Sequence, residues 1–240
     1  MLYVLSLGFL FGLRHALDAD HIAAVASLAT RSRSVNDTLR VGIAWGLGHG
    51  LTLFAVSAVV LLMGVGFPER VAALAEFLVG IMLVGLGLDV VRRTIRERLH
   101  VHGHGHADNR YHVHIHSHAG EGRHENLRHE HEHPVGLPRR AAVIGLMHGL
   151  AGSAALLLLT LGTFDTVLVG LAYVALFGIG SMLGMAALSF TMALPLRRAA
   201  RYTVWGMNGI NAVVGIGTVA LGVMVMVDSA PAVAHWLPLS

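Results

Sequence analysis

The sequence predicts an all-α integral membrane protein: six transmembrane helices in a 3+3 inverted-topology repeat, interrupted by a long cytoplasmic histidine-rich loop. Three observations lead there. The chain is too apolar for a water-soluble core. Six apolar runs are each long enough to cross a bilayer. The two halves resemble each other at a nearly constant offset.

Of the 240 residues, 55% are hydrophobic and only 13% are charged, with a mean hydropathy of +0.66. Soluble domains carry about 25% charged residues. Apolar surface on this scale needs lipid to cover it. There are no cysteines, which excludes disulfides, thiolate metal sites and cysteine nucleophiles. All 17 basic residues are arginine, and the pI is about 9.9. The arginines sit at the ends of apolar runs, a pattern of membrane topology and not of a nucleic-acid patch. No G-x-x-x-x-G-K-[ST] stretch is present, so ATP hydrolysis by that route is excluded.

A span needs about 20 mostly apolar residues. The candidates are residues 2–28, 40–66, 70–91, 140–163, 166–194 and 203–227. The first run lacks a positive leader and an A-x-A cleavage site, so it is expected to be a retained helix. Gly residues, 29 in all, allow membrane helices to approach closely. Residues 92–138 hold 12 of the 17 histidines and almost no apolar run, which reads as a flexible hydrophilic loop. Three units follow: a first three-helix repeat (1–91), the loop (92–138) and a second repeat (139–240).

Positive charge stays cytoplasmic. Arg31, Arg33 and Arg40 follow span one; Arg92, Arg93, Arg96, Arg98, Arg139 and Arg140 flank the loop; Arg197, Arg198 and Arg201 precede span six. The other two connections offer only Arg70, beside Glu69, and Asp165. Both termini are therefore expected outside and the loop inside. Gly12-Leu13-Arg14-His15-Ala16-Leu17 echoes Gly145-Leu146-Met147-His148-Gly149-Leu150; Gly46-Leu47-Gly48 echoes Gly178-Ile179-Gly180; Gly85-Leu86-Gly87 echoes Gly215-Ile216-Gly217. The offsets are 133, 132 and 130 residues. Three spans per half make the repeat inverted, with a site expected near the midplane where the halves meet.

Span one contains Arg14-His15-Ala16-Leu17-Asp18-Ala19-Asp20-His21. Each charge at a helix centre costs about 2.5–3.5 kcal/mol, so it needs compensation or a function. On a regular helix His15, Asp18 and His21 fall at about 0°, −60° and −120°, one continuous stripe, with Asp20 at about 140°. A local break after Asp18 would bring Asp20 round as well. Two imidazoles with carboxylates and no thiolate suit Ni²⁺, Co²⁺, Zn²⁺ or Cu²⁺. The competing reading is a satisfied polar network, with Arg14 paired to Asp18 and each imidazole on a carbonyl. His49 in span two is a candidate ligand. His148 in span four and the i, i+3 pair Asn208 and Asn211 in span six are candidate pathway residues, with helix–helix hydrogen bonding as their alternative role. Glu76 and Asp89 are placed near the membrane edges. Imidazoles bind cations when neutral, so binding is expected to weaken below about pH 6.5.

Arg-His-Ala-Leu-Asp-Ala-Asp-His-Ile resembles the signature of the nickel/cobalt transporter (NiCoT) permeases, H-x4-D-H within a transmembrane helix, with His15, Asp20 and His21 in the pattern. Gly48-His49 is similar to the family's second, Gly-His motif. The resemblance covers roughly residues 8–55. Those permeases have eight spans and a third motif of the L-G-F-D-T-A-T-E type. Here six spans are expected, and Leu146-Met147-His148-Gly149-Leu150-Ala151-Gly152-Ser153 stands in the comparable place, closer to a short urease-accessory-like branch. The helical stripe contributes Asp18 and the resemblance implies His15, Asp20, His21 and His49, so the expected metal site is His15, Asp18, Asp20, His21 and His49. The resemblance also implies uptake of nickel and/or cobalt as transported substrate, with no catalytic cofactor and no enzymatic activity.

In the loop, His100, His102, His104 and His106 alternate, as do His112, His114, His116 and His118; His129, His131 and His133 follow. Only an extended chain would put alternating imidazoles on one side. The loop reads as a metal buffer, the alternative being a solvated linker. Expected surroundings are a bacterial-type cytoplasmic (inner) membrane, its lipid bilayer, the divalent ion and a cytoplasmic metallochaperone, without nucleic acid. The competing functions are efflux, metal delivery without transport, and a histidine-box oxygenase. The oxygenase needs clustered H-x-x-H-H boxes that the solitary His15, His49 and His148 do not form.

Overall fold

A computed structural model of the chain describes residues 2–32, 34–64, 68–98, 101–105, 111–115, 136–150, 164, 166–202 and 204–234. Its elements in chain order are α1 (Leu2–His15), α2 (Ala19–Ala29), α3 (Val35–Met63), α4 (Glu69–Arg98), β1 (Val101–Gly105), β2 (Tyr111–Ile115), α5 (Gly136–His148), α6 (Val167–Tyr202) and α7 (Val204–Ala234).

Among the described residues, four helices are long and apolar enough to cross a membrane: Val35–Met63, Glu69–Arg96, Val167–Leu194 and Asn208–Ala234. The first expected span is broken. α1 and α2 meet at 55° and together make a fifth candidate. Of the expected span 140–163, α5 forms the first part; residues 151–163 lie outside the described residues. Local chemistry sets the ends of α3. Ser34 caps its N-terminus by accepting from the Asp37 N–H at 2.9 Å, and Gly64 closes it at φ 63, a left-handed conformation that costs glycine little.

The loop departs from the expectation of a segment without regular structure. β1 and β2 form an antiparallel ribbon that pairs His102 with His114 and His104 with His112. Tyr111, Val113 and Ile115 favour extended backbone in β2. His100, His106, His116, His118, His129, His131 and His133 lie outside the described residues.

α4 packs along α7, α3 along α6, α1 against α6, and α5 against α3. Bare backbones allow these contacts. A methyl group on Gly12 would overlap the Phe177 carbonyl, and one on Gly145 the Trp45 carbonyl; Gly180 meets the Phe9 carbonyl in the same way and Gly48 that of Ala142. With lipid outside, close packing and interhelical hydrogen bonds must hold the bundle together. Ser27 of α2 and Thr218 of α7 supply one such bond at 3.0 Å. Ala24, Val25, Leu28, Val41, Trp45, Leu83 and Met185 fill the interior, while Leu47, Leu51, Leu62 and Val213 face outward. Near the end of α2, Arg31 and Arg93 converge on Asp89, with Arg93 Nε 3.1 Å from its carboxylate. Arg93 also donates to Thr30 at 3.1 Å.

Candidate metal centre

The break between α1 and α2 builds the centre. At the end of α1 the backbone tightens, Leu17 N–H donating to Arg14 C=O and Asp18 N–H to His15 C=O. Asp18 then turns to extended backbone (φ −64°, ψ 148°) and α2 starts. The regular-helix stripe of His15, Asp18 and His21 is therefore not formed. Asp18 makes no side-chain cap; its carboxylate lies 2.7 Å from His15 Nδ1, with 55% of the side chain exposed. The bend turns Asp20 inward, as a break in this region would, and leaves Asp18 at the rim.

Four imidazoles, those of His15, His21, His49 and His148, are buried together. His15 Nε2 and His49 Nε2 stand 3.2 Å apart. The His21 ring lies 4.4 Å, centre to centre, from both His15 and His148. Asp20 is the carboxylate among them. Its Oδ1 accepts from the His21 backbone N–H at 2.9 Å and lies 2.9 Å from His21 Nδ1, and its Oδ2 lies 2.9 Å from His148 Nε2. One ligand atom each from His15, His21 and His49 falls within 4.8 Å of the others, and likewise from Asp20, His21 and His148.

The polar-network alternative requires pairings that are absent among the described residues. Arg14 is exposed and forms no ion pair with Asp18, which is held by His15. His21 Nε2, His49 Nδ1 and His148 Nδ1 are buried without a hydrogen-bond partner. An unpartnered ring nitrogen whose other nitrogen meets a carboxylate can keep its lone pair for a cation, and His21 Nε2 is placed in that way. Two nitrogens 3.2 Å apart, each bonded at about 2.1 Å, would subtend about 100° at the ion, between octahedral and tetrahedral angles.

Of the residues singled out from the sequence, the fold gathers His15, Asp20, His21, His49 and His148. It leaves Asp18 at the edge. Asn208 and Asn211 lie on α7, and Asn211 Oδ1 is buried without a partner among the described residues. His148 is weakly marked in the sequence because its own half carries no neighbouring acid; the acid comes from Asp20, 128 residues away. Trp45 was not marked at all. Its ring stacks on His21 at 5.4 Å and 25° and meets His148 edge-on at 5.5 Å. The available signal was its position one helical turn before His49. Phe177 packs on His15 at 5.4 Å. These aromatics exclude water from two sides of the cluster.

No family profile matches the chain, and no solved structure does. A curated relative does: the "Urease accessory protein UreH" of Bacillus sp. (strain TB-90) is 32% identical over 202 residues, which covers 84% of this chain and 81% of the relative. The aligned length takes in most of the helical chain, and with identity at this level the chain belongs to the family of the urease accessory protein UreH.

Proposed function

We propose that the chain is a secondary-type transporter that takes up nickel and/or cobalt through the centre of His15, Asp20, His21, His49 and His148. One observation carries the reading: four buried imidazoles and the Asp20 carboxylate gather inside an apolar bundle, in two groups whose ligand atoms lie within 4.8 Å of one another. Such a donor set suits borderline divalent ions. A relative whose name ties it to urease supports a role in supplying metal to an enzyme of that kind, directly or through a cytoplasmic metallochaperone.

The proposed topology has six spans in two inverted halves within a bacterial cytoplasmic membrane, both termini outside. Mirrored contacts support it. The Gly12–Phe177 approach of α1 on α6 matches Gly145–Trp45 of α5 on α3, and Gly180–Phe9 matches Gly48–Ala142, at the same offsets as the sequence echoes. The half-helices α1 and α5 both end at the cluster. Their C-terminal carbonyl ends carry partial negative charge, which favours a cation there.

The ribbon histidines and the rest of the loop would buffer metal at the cytoplasmic face. That same loop favours a second reading, efflux, in which it collects the ion for export. Nickel and cobalt accumulation in cells with and without the gene separates the two. The test of transport itself is uptake into proteoliposomes. His21→Ala is expected to abolish it at unchanged insertion, and wild-type rates in that variant would remove the centre from the pathway.

A further inference from the structure

We propose that the centre comprises two adjoining cation stations that share His21, one of His15, His21 and His49 and one of Asp20, His21 and His148, and that the ion passes from one to the other. The passage rests on the transport reading above; the two stations rest on geometry alone.

Each trio offers ligand atoms within 4.8 Å of one another, and no four of the five side chains do so together. A single ion therefore does not reach all five without a rearrangement. His21 sits between the trios. Its Nδ1 lies 2.9 Å from Asp20, which also holds His148, while its Nε2 has no partner among the described residues. His21 belongs to both trios, and a neutral imidazole carries one lone pair, so it serves one station at a time.

The stations differ in chemistry and in origin. The first is three imidazoles from α1, α2 and α3. The second contains a carboxylate and takes His148 from α5. Two divalent ions this close repel strongly, so one occupies the pair at a time. A site that can be entered and left needs binding shared over more than one position. His148 thereby becomes a ligand, and the second half of the chain completes the path.

The test uses the full-length protein in detergent, with Trp205→Phe and Trp236→Phe leaving Trp45 as the reporter and the loop histidines replaced by serine. Co²⁺ is titrated, read by quenching of Trp45 and by the visible absorption of bound Co²⁺. His49→Gln and His148→Gln are each expected to keep one saturable Co²⁺ with distinct spectra, while losing more than tenfold in proteoliposome uptake. The double variant and His21→Gln should bind none at the centre. Asp20→Asn, which keeps side-chain shape, should remove the spectrum seen in His49→Gln and leave the three-imidazole one seen in His148→Gln.

Abolished Co²⁺ binding in either single variant, or identical spectra in both, overturns the two stations in favour of one site. His148→Gln carrying Co²⁺ at the wild-type rate overturns the passage. A wild-type protein that shows both spectra in its variants yet moves no ion refutes the transport reading and not the stations.

Discussion

Gly12→Ala tests how the helix packing sets the centre. A Cβ at Gly12 would lie 2.8 Å from the Phe177 carbonyl carbon and 2.9 Å from the Ser181 nitrogen. Carbon atoms in contact sit at about 3.5–4.0 Å, so α1 must retreat from α6 by about 1 Å. His15 lies three residues further along the same helix. Carried through to it, that shift widens the 3.2 Å His15–His49 nitrogen pair to about 4.2 Å, the most that two bonds of about 2.1 Å span in a straight line. A shared cation is then lost to one of the two ligands. Overpacking costs about 1–3 kcal/mol, against about 1 kcal/mol gained from helix propensity. The assay is Ni²⁺ titration by Trp45 quenching, run beside thermal unfolding. Affinity is expected to fall at least tenfold with a modest loss of stability. Gly85→Ala is the control: nothing lies within 4 Å of its Cβ, so it should bind as wild type and unfold no earlier. Wild-type affinity in Gly12→Ala, or equal damage from Gly85→Ala, refutes the link between the α1–α6 approach and the site.

Replacing the 12 loop histidines should lower the number of metal ions bound per chain while leaving substantial uptake; uptake lost in a folded, inserted protein would put the loop in the pathway. A reporter fused after Ser240 should behave as extracytoplasmic, and a cytoplasmic signal there would overturn the span count or the orientation. Asp89→Asn leaves Arg31 and Arg93 without their shared carboxylate; since Asp89 is 36% exposed, the loss should be only about 1 kcal/mol in thermal stability, with metal affinity unchanged. A fall in affinity there would mean that the Arg31–Asp89–Arg93 cluster communicates with the centre.

Much of the candidate site is legible along the chain because its strongest signals are local. Charged groups in an apolar run are costly wherever that run folds, so His15, Asp20 and His21 stood out without any tertiary information. The helical angles were less useful. They assumed an unbroken helix, which placed Asp18 with His15 and His21 and turned Asp20 away. The break reverses this, because Asp18 becomes the residue before α2 and its carboxylate stays at the rim on His15 Nδ1. In the loop, the alternation of histidines is legible along the chain. Only the β1–β2 register brings the two strands' histidines opposite each other.

By itself the sequence determined the membrane setting and the kind of donors available. Hydropathy is additive over a span, and residue chemistry does not depend on where the chain goes next. Tertiary structure alone decided which donors meet. His148 reaches Asp20 across 128 residues, and Trp45 closes over both His21 and His148, because Gly145 lets α5 press against the Trp45 backbone of α3. Contacts of that kind depend on the distance between two helix backbones, a quantity that no spacing along either helix encodes.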